Sequence, residues 1–187
     1  GLSGMKAAAE EGQRLSFEAL GRIVAESRRE GGSREALGKL KREPREQLRY
    51  NAFLRDLNES YESVEDYILG KVFAVPLEES ESGGGKKRRA CAKARAELFD
   101  RDEATLKWRP NDFPYALEDG IGHHILWSTK PLADEELARQ CDAFLLDLKA
   151  ARGAAASGSF QCVHFVNPPK FRSIQSLWHA HVLFTEK

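Results

Sequence analysis

The segment LADEELARQCDAFLLDLKAARG, residues 132–153, constrains the fold more than any other part of the chain. Leu137, Cys141, Phe144, Leu145 and Leu148 recur at helical spacing, so one face of a long helix is apolar. Three acidic residues open it, which suits the positive end of the helix dipole, and Gly153 supplies a stop. Strand-like runs lie on both sides: ATLKWRP and HHILWST before it, SFQCVHFVN and IQSLWHAHVLF after it. One helix among several strands close in sequence predicts an α+β fold with an antiparallel sheet.

The first third has a different period. RLSFEALGRIVAESRRE places Phe17, Leu20 and Val24 on one helical face, with Leu15 and Ile23 flanking. PREQLRYNAFLRDLNESY begins with Pro44, where a missing N–H costs a helix little. SVEDYILGKVF reads as a third helix with Ser63 as its cap. Tyr50, Tyr61 and Tyr67 read as core aromatics, as do Trp108 and Trp127. VPLEESESGGGKKRR has no apolar periodicity and reads as a linker or mobile loop. The organisation expected is a helical extension over 1–76, a linker over 77–92 and an α+β core over 93–187, joined as one compact unit.

Charge excludes more than it selects. The chain carries 29 basic and 29 acidic residues, so no nucleic-acid partner is implied by net charge. Lys86–Arg89 form a short basic block beside glycines, expected to be a solvated loop. No apolar run approaches the roughly 20 residues of a membrane helix. The opening GLSGMKAAAEEG lacks the continuous apolar stretch of a secretory signal, and the end directly after a strand-like run is consistent with a chain that continues. Cys91, Cys141 and Cys162 have neither zinc-knuckle nor disulfide-scaffold spacing. The expected setting is intracellular, cytoplasmic or nuclear.

The chemistry concentrates in the final strand. His179 and His181 are two apart and share one face with Leu177 and Leu183, while Trp178, Ala180 and Val182 take the other. The strand rise puts the two imidazoles roughly 6–7 Å apart, close enough to act on one phosphate-sized group. His123 or His124, but not both, can join that face from the neighbouring strand. Asn167, Ser173, Gln175 and Ser176 supply neutral hydrogen-bonding groups between these strands. A metal reading stands beside this one, with Cys162 and His164 joining His179 and His181. Asn111, Asp112 and Tyr115, in NDFPYALEDG, are candidates to face a ligand from a loop.

The order of these groups resembles the histidine triad (HIT) superfamily of nucleotide hydrolases and transferases. VNPPKFRSIQSLWHAHVLF matches that pattern with Asn167, Gln175, Ser176, His179 and His181, and GHHILWSTKPL resembles its upstream segment. The resemblance implies a HIT-like antiparallel sheet with a long helix, here preceded by a helical N-terminal extension. It implies His181 as a nucleophile toward an α-phosphate, flanked by His179 and supported by His124. Asn167, Gln175 and Ser176 would then contact phosphate or ribose. The third triad position is Leu183, which cannot hydrogen-bond. The implied partner is a small phosphate-containing molecule, a nucleotide or sugar phosphate, with no cofactor and no metal. A homodimer is one assembly open to it.

A second resemblance covers more of the chain. LKREPREQLRYNAFLRDL, WRPNDFPYALEDGIGHHILWS and FVNPPKFRSIQSLWHAHVLF are similar to domain of unknown function family 3605, found in fungi and algae. That family implies no activity. Enzyme, non-catalytic regulatory protein on a degenerate HIT scaffold, and metal-dependent enzyme therefore all remain open from the sequence.

Overall fold

The computed structural model describes residues 14–29, 34–82, 85–153, 158–168, 174 and 177–187. Helix α1 (Phe17–Arg29), the short α2 (Arg34–Leu37), α3 (Pro44–Ser60) and α4 (Val64–Phe73) come first. Pro44 opens α3 as its spacing predicts, and the Ser63 hydroxyl accepts the Asp66 N–H at 3.1 Å to cap α4. Strands β1 (Leu77–Ser82) and β2 (Gly85–Ala90) follow, then α5 (Ala92–Phe99). The main sheet is built from β3 (Leu106–Pro110), β4 (Gly122–Ser128), β5 (Phe160–Phe165) and β6 (Trp178–Glu186), with α6 (Asp134–Arg152) between β4 and β5. Its strand order is β3-β4-β6-β5, all neighbours antiparallel. The α+β class, the antiparallel sheet, the long helix and the helical N-terminal part are as expected.

Residues 77–92 correct one expectation. They are not a linker: β1 and β2 form an antiparallel hairpin. Each strand is polar on both faces, which hides the strand period. Acidic β1 instead lies opposite basic β2, with Glu79 and Lys86 at 3.1 Å and Glu78 and Arg89 at 3.9 Å. The KKRR block is thus charge-matched within its own hairpin. Ala90 N–H donates to Asp66 at 2.8 Å and Glu62 N–H to Arg88 O at 3.0 Å, which tie β2 to the helices.

The main sheet is covered on both faces, and strand parity decides what each face holds. Leu126, Ala180 and Val182 pack with Trp178 against α6 through Leu137 and Cys141. Trp108 stacks on Phe144 of α6 at 4.2 Å. The opposite face carries Ile125 and Trp127 against α4, and Leu183 and Phe165 against α1. Among the described residues no helix is long and apolar enough to cross a membrane.

Candidate functional site

Both histidines of β6 lie on the face turned toward the N-terminal helices. There they line a cavity of about 670 Å³ between the sheet, α3, α4 and the loop 111–119. His179 and His181 are only 6% and 7% exposed. The register sets Ile125 opposite His181 and Leu183 opposite His123, so His123 reaches His181 diagonally on the same face.

That parity corrects the choice of upstream histidine. His123, not His124, joins the pair: its Nε2 lies 3.0 Å from His181 Nδ1. His124 pairs with Val182 and points to the α6 face, where its ring packs on Phe144 and Phe184. Its buried Nδ1 has no hydrogen-bond partner among the described residues. Because Ile125 and Trp127 are core residues facing α4, odd positions of β4 must share the face of His181. His124, His179 and His181 therefore do not converge.

His181 sits within a continuous polar chain. Its Nε2 lies 3.1 Å from Asn167 Nδ2. Asn111 Nδ2 lies 3.2 Å from His123 Nε2, and Asn111 Oδ1 accepts the Phe113 N–H at 3.0 Å. Tyr115 stacks on His123 at 4.9 Å and hydrogen-bonds Asn167. Phe165 stacks nearly parallel on His181 at 4.9 Å. His179 Nδ1 lies 3.1 Å from the Leu177 carbonyl, so Nδ1 carries the proton and the basic lone pair is on Nε2.

His123 and His181 are neutral at neutral pH. Burial pushes His123 down to about 3, with Arg42 and His124 adding to the effect. Burial also holds His181 well below the ordinary value, aided by His123, His179 and Arg42. Burial raises the Tyr115 phenol, so it stays protonated.

The cations of the cavity complete the site, and the sequence did not single them out. Arg42 donates Nε–H to the Phe113 carbonyl at 3.0 Å, and its guanidinium lies 4.0 Å over the Tyr50 ring. Lys71 donates to Tyr67 Oη at 2.7 Å and pairs with Asp112 at 3.1 Å. Arg109 enters from β3. Among the described lining residues, Asp112 is the sole carboxylate against these three cations. Neither Arg42 nor Arg109 has a carboxylate within ion-pair distance among the described residues. Tyr50 and Tyr67, expected as core aromatics, line the same cavity.

Of the expected site residues, His179, His181, Asn167, Asn111 and Tyr115 meet at the cavity and His124 does not. Gln175, Ser176 and Ser173 lie outside the described residues. The metal set does not form. Cys162 faces the α6 core, and His164 contacts Arg28 through its carbonyl at 2.9 Å. Among the described residues no three His, Cys, Asp or Glu side chains converge as a metal site. Leu183 is fully buried against Leu20, Ile23 and Val24, because α1 covers that end of the strand.

The family model described as "Protein of unknown function (DUF3605)" matches residues 28–185. "Uncharacterized protein YPL067C" of Saccharomyces cerevisiae is 40% identical over 83 residues. That alignment spans 40% of this chain and 41% of the yeast protein. A solved structure, "Crystal Structure of HTC1", shares the fold with a TM-score of 0.52 and 23% identity, over 91% of this chain and 85% of that one.

Proposed function

The chain belongs to the DUF3605 family, and from its cavity we propose that it binds a nucleotide or sugar phosphate in the histidine-lined pocket. One observation carries this reading. Arg42 is held over Tyr50 beside neutral His123 and His181, with no carboxylate partner among the described residues. A half-buried guanidinium aimed into a cavity is a ready anion site, because its planar donors match phosphate oxygens. Lys71, Arg109 and the amides of Asn111 and Asn167 add donors around the same space. Tyr50, Phe53, Phe113 and Trp127 give flat walls that suit a base or a sugar ring.

Turnover through His181, by phosphoester hydrolysis or nucleotidyl transfer, is the finer form of this reading. The HIT-like order of Asn167, His179 and His181 supports it. Attack requires the His181 Nε2 lone pair, so Asn167 must first release that atom. Both ring nitrogens of His181 being engaged, and Leu183 being core, favour the second reading: a binding module without turnover.

The test incubates the protein with nucleoside phosphoramidates, dinucleoside polyphosphates and nucleotide sugars, with His181→Ala as control. Product that disappears in the variant establishes the enzyme. Thermal stabilisation by one compound without product establishes the binding module. If no compound stabilises the protein or is consumed, the reading is wrong.

A further inference from the structure

We propose that the hydrogen-bonded His123–His181 pair takes up a proton from solvent as the pocket takes its anion, which makes binding proton-linked. The inference rests on the anion-site reading above and deepens it.

Hydrogen counting gives the first argument. Two neutral imidazoles hold two N–H groups and two lone pairs. Asn111 is oriented by the Phe113 N–H on its Oδ1, so its amide nitrogen faces the edge of the His123 ring, 3.2 Å from Nε2 and 3.3 Å from Nδ1. Asn167 presents its amide nitrogen to His181 Nε2. His181 therefore keeps its proton on Nδ1 and gives it to His123 Nε2 across 3.0 Å. A second proton on His181 would sit on Nε2 and point at the Asn167 N–H. It needs an acceptor there. An anion oxygen entering the pocket supplies one.

Electrostatics gives the second. The pair is faced by Arg42 from the segment before α3, His179 from β6, Tyr115 and Asn111 from the loop after β3, and Asn167 after β5. His124, itself held below the ordinary value by burial, opposes a charge on His123 from the other face of β4. None of these is a carboxylate; Glu43, Glu46, Glu118 and Asp119 line a second cavity with His123, where Arg14 pairs with Glu43 and Asp119 and Arg49 pairs with Glu46. Asp112, across the cavity, is paired with Lys71. A charged imidazole meets burial and Arg42, and among the described residues no carboxylate hydrogen-bonds either ring. One negative charge at about 4–6 Å raises a histidine by about 1–3 pH units, so a dianion raises it by about 2–6. The dianion therefore moves the titration of the pair up toward the neutral range.

Sulfate is the probe, because it does not itself gain a proton in this range. The whole chain, labelled with ¹⁵N, is followed by its imidazole signals from pH 8 to pH 5 in sodium sulfate and in sodium chloride of matched ionic strength. In sulfate the pair's signals should titrate within this window, and in chloride they should stay those of neutral imidazole. His123→Gln should keep the sulfate-induced changes at Arg42 and lose most of the shift at His181. Sulfate that perturbs Arg42 and Asn167 while both imidazoles stay neutral overturns this inference and leaves the anion site standing. If neither sulfate nor adenosine 5′-monophosphate perturbs the pocket, both fall.

Discussion

Lowering the pH should destabilise this protein through His123 in particular. Its native pKa of about 3 lies below the unfolded value of 6.5. The unfolded chain therefore binds a proton that the folded chain refuses, and stability falls as pH falls. The contribution is fully present above about pH 6.5 and is lost progressively from there toward pH 3. Each pH unit within that window costs up to about 1.4 kcal/mol, so going from about pH 7.5 to about pH 5 costs about 2 kcal/mol through His123 alone. His181 is shifted in the same direction and adds to the slope. This is a large share of the roughly 5–15 kcal/mol that holds a domain folded. Urea unfolding followed by tryptophan fluorescence at several pH values measures it, with Trp127 packed at 4.8 Å on His179 as a local reporter. In His123→Gln the loss between these pH values should be smaller by about 2 kcal/mol. Equal pH dependence in the two proteins would refute the argument, because the acid sensitivity would then reside in other groups.

Three further outcomes follow from the packing. In Gly122→Ala the new Cβ would lie 2.3 Å from the Phe184 ring that covers this glycine, so thermal denaturation should show a loss of about 1–3 kcal/mol. Ala74 ends α4 at φ 56°, a left-handed conformation that suits glycine, so Ala74→Gly should raise the melting temperature. Ser63→Ala removes the α4 cap and should cost about 1 kcal/mol in urea unfolding.

The final strand was legible because one alternation governs it. Helix α1 and the pocket cover His179, His181 and Leu183, while α6 covers Trp178, Ala180 and Val182. α6 was equally plain, since its apolar residues recur at helical spacing. The choice between His123 and His124 was not, because adjacent residues differ only in face, and parity is fixed by packing across the sheet. The β1–β2 hairpin was hidden for another reason. Its stabilising pattern is charge across strands, such as Glu79 with Lys86, and no apolar alternation marks it. Tyr50 and Lys71 looked like ordinary members of amphipathic helices, and Arg42 lies in a charged stretch just before one. Only the fold brings them from distant positions to the histidines. Leu183 gave the clearest warning in the sequence, and α1 supplies its physical reason.

The most direct test of the phosphate-binding account is calorimetric. Adenosine 5′-monophosphate is compared with adenosine, and glucose 1-phosphate with glucose, on the wild type and on Arg42→Gln. Two charge-assisted hydrogen bonds contribute at least about 3 kcal/mol, so one phosphate should bind at least about 100-fold more tightly than its phosphate-free partner. Arg42→Gln should erase most of that difference. Equal affinity with and without phosphate, or a phosphate preference unchanged in Arg42→Gln, would contradict the account.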